Sequence, residues 1–397
     1  MKILFVAHNF PPVSGGISQI MLTMAKSLPP DEVMVLAPWG TNTSSHRVLN
    51  AATRETAARI DSALPFPVHR SDYSMQSKLK TLFSVVRFFV LTLWLAKRYK
   101  VDLVYFSHCY PTGVAGLFLG FFRMPYAVHT YGSELVRQRR GPAGRLRLRV
   151  LQKAFRVSAI SRWGKDYLVS MGVPGEKIVI LHPKIELERF APPQDLDAFR
   201  KREQLSGKQV ILSVGHLTHR KGQHLVIEAM PALLKQFPDA MYVVAGAGPD
   251  DKRLKDLAAE RGVVEHVLFP GNRDIVAFYH ACDVFILPSL YIKKPFGDIE
   301  SFGIVYIEAG ACGKPVIGSN NGGIPDAVAD GESGLLIETG SVEAIADALR
   351  KLLGNQALRE RLGRQGYERV LREFTIEKYK DDLGELILEP FERERRA

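Results

Sequence analysis

At 397 residues, with 46% hydrophobic and 24% charged side chains, the chain reads as a globular protein long enough for two domains with cores of ordinary size. Its three cysteines, Cys109, Cys282 and Cys312, stand far apart with no CxxC pair, so neither a disulfide framework nor a zinc site is expected. The formal charge of +11 sits in the first half, where residues 1 to 200 hold 27 Lys and Arg against 13 Asp and Glu. That half is expected to meet an anionic partner.

The sequence lacks RNP, KH, zinc-finger and helix-turn-helix signatures. Anionic lipid or a phosphorylated acceptor is therefore preferred over nucleic acid. The opening MKILFVAHNFPP has one Lys and too short an apolar run for a secretory signal, which predicts a chain starting at Met1 in a reducing cytoplasm. Residues 2–7 form an apolar run of the kind buried parallel strands show, followed by Gly15-Gly16 and a helical pattern to Leu28. Two glycines at the carboxyl end of a strand let backbone N–H groups approach an anion, though a Gly-Gly pair is also an ordinary tight turn.

Residues 32–37 read as a second strand, and residues 40–70 show no clear period. Lys78 to Lys100 is apolar over most of its circumference with basic ends. Its unbroken apolar stretch is shorter than the roughly 17 to 25 residues of a membrane span. It is expected as a core-packed helix of the first sheet, with an interfacial helix as the alternative. A strand at 102–106 follows, then a strand from Tyr126 into a polar loop holding His129, Tyr131, Ser133 and Glu134. From Arg137 to Arg156 eight cations occur with almost no acid, which fits either a solvated face or contact with phospholipid.

Strands at 157–161 and 178–183 precede a linker at 191–208. A second domain opens with the strand 210–214 and a loop from Gly215 to Gly222. That loop carries Arg220 and Lys221, a guanidinium fork and a point charge suited to a diphosphate. Further strands at 241–246 and 267–273 lead to the stretch 297–326, GDIESFGIVYIEAGACGKPVIGSNNGGIPD. There Glu300 and Glu308 flank Phe302-Gly303-Ile304. If the segment were helical throughout, the two carboxylates would stand about 12 Å apart along the axis, about the length of a ribose-diphosphate-hexose unit. A helix N-terminus near Gly303 would offer free N–H groups to a phosphate between them. That spacing argues against a glycosidase pair, which needs about 5 to 9.5 Å. Solvated glutamates in an ordinary βα unit remain open. Helical periods at 342–353 and 355–367 precede a last helix from Ile376.

These motifs resemble the EX7E segment of the retaining family-four glycosyltransferases with the GT-B fold, and the likeness extends over nearly the whole chain. The resemblance implies an α/β protein of two Rossmann-like domains facing a cleft: an acceptor-binding domain at 1–195 joined by a C-terminal helix at 375–397, and a nucleotide-sugar domain at 205–374. It implies metal-independent transfer of a mannose- or glucose-type hexosyl group, with retention, from a nucleoside diphosphate sugar to a lipid-linked or polysaccharide acceptor. No cofactor besides that donor is implied.

By the same resemblance, His129, Lys221, Glu300 and Arg220 are catalytic candidates. Gly15, Gly16, His216, Arg220, Lys221, Gly271, Asn272, Glu300, Phe302, Gly303, Ile304 and Glu308 are donor-binding candidates, and Glu134 lies on the acceptor side. Two departures from the family pattern stand out. His216 occupies the family's Arg position, and His182-Pro183-Lys184-Ile185 replaces its N-G-V-D. The expected site of action is the cytoplasm, peripherally on the inner face of the cell membrane. The competing readings are a nucleotide-sugar binding module without turnover, a nucleotide-sugar epimerase, or a phosphorylase needing a lysine-bound pyridoxal phosphate.

Overall fold

Apolar runs without polar alternation can be satisfied only where both faces of a sheet are covered, and this chain builds two such sheets. The computed structural model describes residues 1–13, 15–39, 51–72, 77–132, 135–136, 141–292 and 298–396. The chain divides into two units, Met1–Lys184 with Ile376–Ala397, and Ile185–Thr375.

The first unit holds β1 (Ile3–Val6), β2 (Val33–Pro38), β3 (Val68–Ser71), β4 (Leu103–Phe106), β5 (Tyr126–Thr130), β6 (Arg156–Ala159) and β7 (Ile178–Ile180). They lie in the order 3-2-1-4-5-6-7, all parallel, with Ile3 registered against both Val33 and Leu103. Strand β3 falls inside the region whose sequence showed no period. Its pattern is only half-buried, as expected of an edge strand. The helix Lys78–Tyr99 lays Phe88, Leu95 and Ala96 into the core beside Val104, Phe106 and Val128.

Over Leu79–Tyr99 that helix is long and apolar enough to cross a membrane by length and composition. The unbroken apolar run is shorter than the helix, which continues through Ser84 and Arg87. The chain from Ile376 onward packs on this first unit, where Phe391 meets the Phe155 ring edge-on at 5.4 Å and Lys184 pairs with Asp382 at 2.6 Å.

The second unit holds β8 (Gln209–Val214), β9 (Ala240–Ala245), β10 (Val267–Gly271), β11 (Val284–Leu287), β12 (Val316–Ser319) and β13 (Gly334–Ile337), parallel in the order 10-9-8-11-12-13. The boundary falls ahead of the expected linker. The Ile185 N–H donates to the Phe374 carbonyl at 2.8 Å and Ile185 bridges to Thr375, so the chain joins the second unit at once. Residues Leu196–Arg202 are a helix capped by Asp195, which accepts from the Ala198 N–H at 2.8 Å. In each sheet the order reverses once, between β1 and β4 and between β8 and β11. Open α/β sheets present a crevice for ligands at the carboxyl ends beside such a reversal.

Candidate functional site

At the reversal of the second sheet, the loop after β8 and the loop after β11 are fastened to each other. The Leu290 N–H donates to the Arg220 carbonyl at 2.6 Å. A Cβ on Gly222 (φ +75°) would lie 2.1 Å from the Pro288 carbonyl oxygen, so only glycine lets the two loops come this close. The loop is supported from below as well. Gly215 N–H donates to the Ala245 carbonyl and Leu217 N–H to that of Ala247, both at 3.0 Å. The Gly246-Ala247-Gly248-Pro249 turn is thus a bed for the loop.

This frame presents a charged cluster. Lys221 Nζ lies 2.5 Å and Arg220 Nη1 3.0 Å from the same oxygen of Glu300, Oε2. The Ser289 hydroxyl lies 3.4 Å from that oxygen, and Arg220 Nε lies 3.4 Å from Asp298. Burial by itself raises the pKa of Glu300, but Lys221 and then Arg220 outweigh it and hold the carboxyl down at about 2. Burial opposes the charge on Arg220, yet Glu300 and Asp298 push its pKa up. An ammonium has three donors and a guanidinium five, so both cations retain N–H groups beyond those given to the carboxylates.

Glu300 lies outside the helix, which covers only Ile304–Ala311. The 12 Å estimate for a continuous helix therefore does not apply to residues 300–303. Gly303 is the N-cap at φ +87°, with no side chain to cap the first turn. The opening N–H groups of that helix are thus left for water or a ligand. A Cβ on Gly303 would lie 2.4 Å from the Tyr306 ring. Tyr306 in turn donates to the Leu287 carbonyl at 2.5 Å, which ties the helix to β11.

Phe302 is 1% exposed and meets Phe374 edge-on at 5.8 Å, so its side chain anchors the loop. Glu308 accepts from the Tyr279 hydroxyl at 2.8 Å, and burial raises its pKa above the ordinary value, against the lowering effect of that bond. His216 is exposed in the loop after β8. Gly271 ends β10 at φ +69° with Asn272 exposed beside it, and the Gly271 carbonyl accepts from the Gly246 N–H at 2.7 Å.

The first unit has its own cluster at its sheet reversal. His8 lies just past β1, His108 just past β4, and His129 on β5. The rings of His8 and His108 lie 5.0 Å apart, those of His108 and Tyr131 5.0 Å, and those of His129 and Tyr131 4.8 Å. His129 is fully buried, with Nδ1 2.7 Å from the Ser158 hydroxyl and 3.3 Å from that of Tyr105. Its Nε2 has no partner among the described residues. Burial lowers His129 to about 3 and His8 to about 4, so both rings are neutral near pH 7. Gly15 (φ +128°) caps the helix Gly16–Lys26 without a side chain, and both glycines are exposed. Ser133, Glu134, Arg137, Arg139 and Arg140 lie outside the described residues.

The structure thus brings Arg220, Lys221 and Glu300 together and adds Ser289, Asp298 and Tyr279, none of which the motif reading named. His8 and His108 were also missed, although each stands two residues past the end of its strand, β1 or β4. Among the described residues no group of three or more His, Cys, Asp or Glu side chains is placed to hold a metal ion.

Residues 195–369 match the family model described as glycosyl transferases group 1, and residues 15–184 match that described as glycosyl transferase 4-like domain. Among curated proteins, the chain is 28% identical over 367 residues to a GDP-mannose-dependent alpha-(1-6)-phosphatidylinositol monomannoside mannosyltransferase of Mycolicibacterium smegmatis, covering 89% of each. It is 26% identical over 395 residues to a glycogen synthase of Mycobacterium tuberculosis, covering 94% of this chain and 91% of that one. Among solved structures, the Anabaena protein HepE in complex with UDP superposes with a TM-score of 0.79 at 21% identity, over 98% of this chain and all of that one. That likeness shows the GT-B type of fold, two parallel-sheet Rossmann-like domains.

Proposed function

The chain belongs to the family-four type of glycosyltransferases, and from that premise we propose that it moves a hexosyl group from a nucleoside diphosphate sugar, with retention, to a lipid-linked or polysaccharide acceptor. The observation that carries the reading is the cluster of Lys221, Arg220 and Glu300 beside the uncapped helix at Gly303. Breaking the bond from the anomeric carbon to phosphate leaves growing negative charge on the departing diphosphate. Preorganised cations and amide N–H groups stabilise such charge as it develops.

In this reading Lys221 and Arg220 hold the diphosphate, with the N–H groups of Gly303 and Ile304 completing the cradle. Glu300 aligns the two cations and accepts from hexose hydroxyls. Glu308 accepts from the ribose hydroxyls, and Gly271 and Asn272 border the base. The acceptor hydroxyl forms the new bond on the face the diphosphate leaves, and its proton passes to a phosphate oxygen. His216 stands where the family has Arg, and we assign the missing charge to Arg220. In the first unit, His129 Nε2 is assigned to a sugar hydroxyl and Gly15-Gly16 to backbone contact with an anion.

GDP-mannose is the favoured donor, because the mycobacterial relative is described as GDP-mannose-dependent; UDP-hexoses are the alternative. The proposed setting is the cytoplasm, peripherally at the inner face of the membrane. A thermal-shift screen over GDP, UDP, ADP and their sugars is expected to single out one nucleotide. With that donor, Lys221→Ala should lower turnover by about two to three orders of magnitude while the melting curve stays cooperative. Near-normal turnover would remove Lys221 from this role. An inert wild-type chain that still binds the sugar nucleotide would favour the non-catalytic binding module.

A further inference from the structure

Helices that cover a sheet normally turn their polar faces outward, yet one side of the first unit does the opposite. Along Lys78–Tyr99, Phe83, Val86, Val90 and Trp94 repeat at helical spacing and are each at least half exposed. With Leu79 they form a stripe about 22 Å long at 1.5 Å per residue. The segment Ala115–Phe122 packs alongside through Phe118 and Phe122 against Phe89, and raises Phe121, 83% exposed, beside the stripe. Monomeric soluble proteins rarely leave an apolar surface of this extent uncovered.

The segments that form it carry charge of one sign. Lys97 Nζ lies 4.9 Å from the centre of the Phe122 ring, and Arg98 and Arg123 are exposed at the same end. The helix Gly141–Lys153, packed against Ala115–Leu119, exposes Arg145, Arg149 and Lys153 at i, i+4 and i+8, on one face. None of these three segments contains Asp or Glu. Among the described residues Asp72 lies 3.7 Å from Arg87, and Asp102, Glu176 and Glu394 stand at the end where Arg123 and Lys153 lie.

We propose that this face is a docking surface for an anionic phospholipid bilayer, with the apolar stripe and Phe121 seated among the upper acyl chains and the flanking cations on the headgroups. The helix lies along the surface and does not cross it, because crossing would pull Phe88, Leu95 and Ala96 out of the core they complete. A second copy of the chain is a poorer occupant, since pairing two such faces would oppose cations with cations. The proposal deepens the functional reading in one respect, that a lipid-linked acceptor would be met at such a surface; the docking itself is tested without any sugar.

The test is co-sedimentation of the full chain with vesicles of phosphatidylcholine alone and with added phosphatidylglycerol. Partitioning should be at least tenfold stronger on the anionic vesicles, weaken as salt rises, and fall at least tenfold in Phe83→Glu/Phe121→Glu. Acyl-chain-brominated lipid should quench the wild-type emission, and Trp94→Phe should lose that quenching with its melting curve unchanged. Equal binding to both vesicle types, unchanged binding by the double variant, or quenching that survives Trp94→Phe overturns the proposal. So does a lipid-free dimer that Phe83→Glu dissociates. Transfer activity that persists while docking fails leaves the functional reading standing.

Discussion

Glu308 and Glu300 show how two carboxylates on one segment are shifted in opposite directions. Glu308 is buried with the Tyr279 hydroxyl as its bonded partner, and its raised pKa means that keeping it ionised costs stability near pH 7. The proposed role in binding ribose would account for keeping the charge. Glu308→Gln should therefore melt no lower than wild type while binding sugar-free nucleotide at least several-fold more weakly; unchanged affinity by calorimetry would refute the ribose assignment. Glu300 behaves the other way. Its folded pKa of about 2 lies below the ordinary 4.5, so its contribution is complete above pH 4.5 and is lost as pH falls from there towards 2. In urea unfolding, the advantage of wild type over Glu300→Gln should be constant from pH 5 to 7 and shrink between pH 4.5 and 3. A difference that stays level down to pH 3 would contradict the pairing with Lys221 and Arg220.

At the scale of elements, loops approach so closely that glycine is required at particular points. Gly246 adopts φ +149°, and a Cβ there would lie 1.9 Å from the Gly215 carbonyl oxygen, whereas Gly207 (φ +72°) faces open space. Gly207→Ala should cost about 1 kcal/mol through backbone strain alone. Gly246→Ala should cost more than that and also weaken nucleotide binding, because the loop carrying Lys221 rests on it; equal costs would show that the bed is not needed.

This contrast also explains what was legible beforehand. The strands β1, β2, β4 and β8 were readable because parallel strands leave unbroken apolar runs, and the segment from Glu300 to Glu308 because its residues are contiguous. Ser289 and Tyr279 were not, since they reach the glutamates through folding from another loop and another helix, and Asp298 was not because its partner, Arg220, comes from a distant loop. Strand β3 was hidden by the half-polar pattern of an edge. The division at Lys184 depends on backbone pairing between Ile185 and the chain near Phe374, to which composition is blind.

At the scale of the whole molecule, the two units differ in charge as they differ in assigned task. The first 200 residues carry a formal +14, and the remainder is slightly acidic. The long-range part of any attraction to anionic vesicles should thus be screened as ionic strength rises, since the Debye length falls from about 10 Å at 0.1 M to about 3 Å at 1 M. Nucleotide affinity, which is assigned to close contacts in the second unit, should change much less over the same range. Parallel salt titrations of vesicle binding and of nucleotide binding check this, and equal sensitivity would contradict it.

The account stands or falls on where a nucleotide lodges in the second unit. Crystals of the chain soaked with the nucleotide chosen by the thermal-shift screen test this most directly. The account predicts the diphosphate on Lys221, Arg220 and the first-turn N–H groups after Gly303, with the ribose hydroxyls on Glu308. A nucleotide bound elsewhere, with both cations still paired only with their own carboxylates, would contradict it.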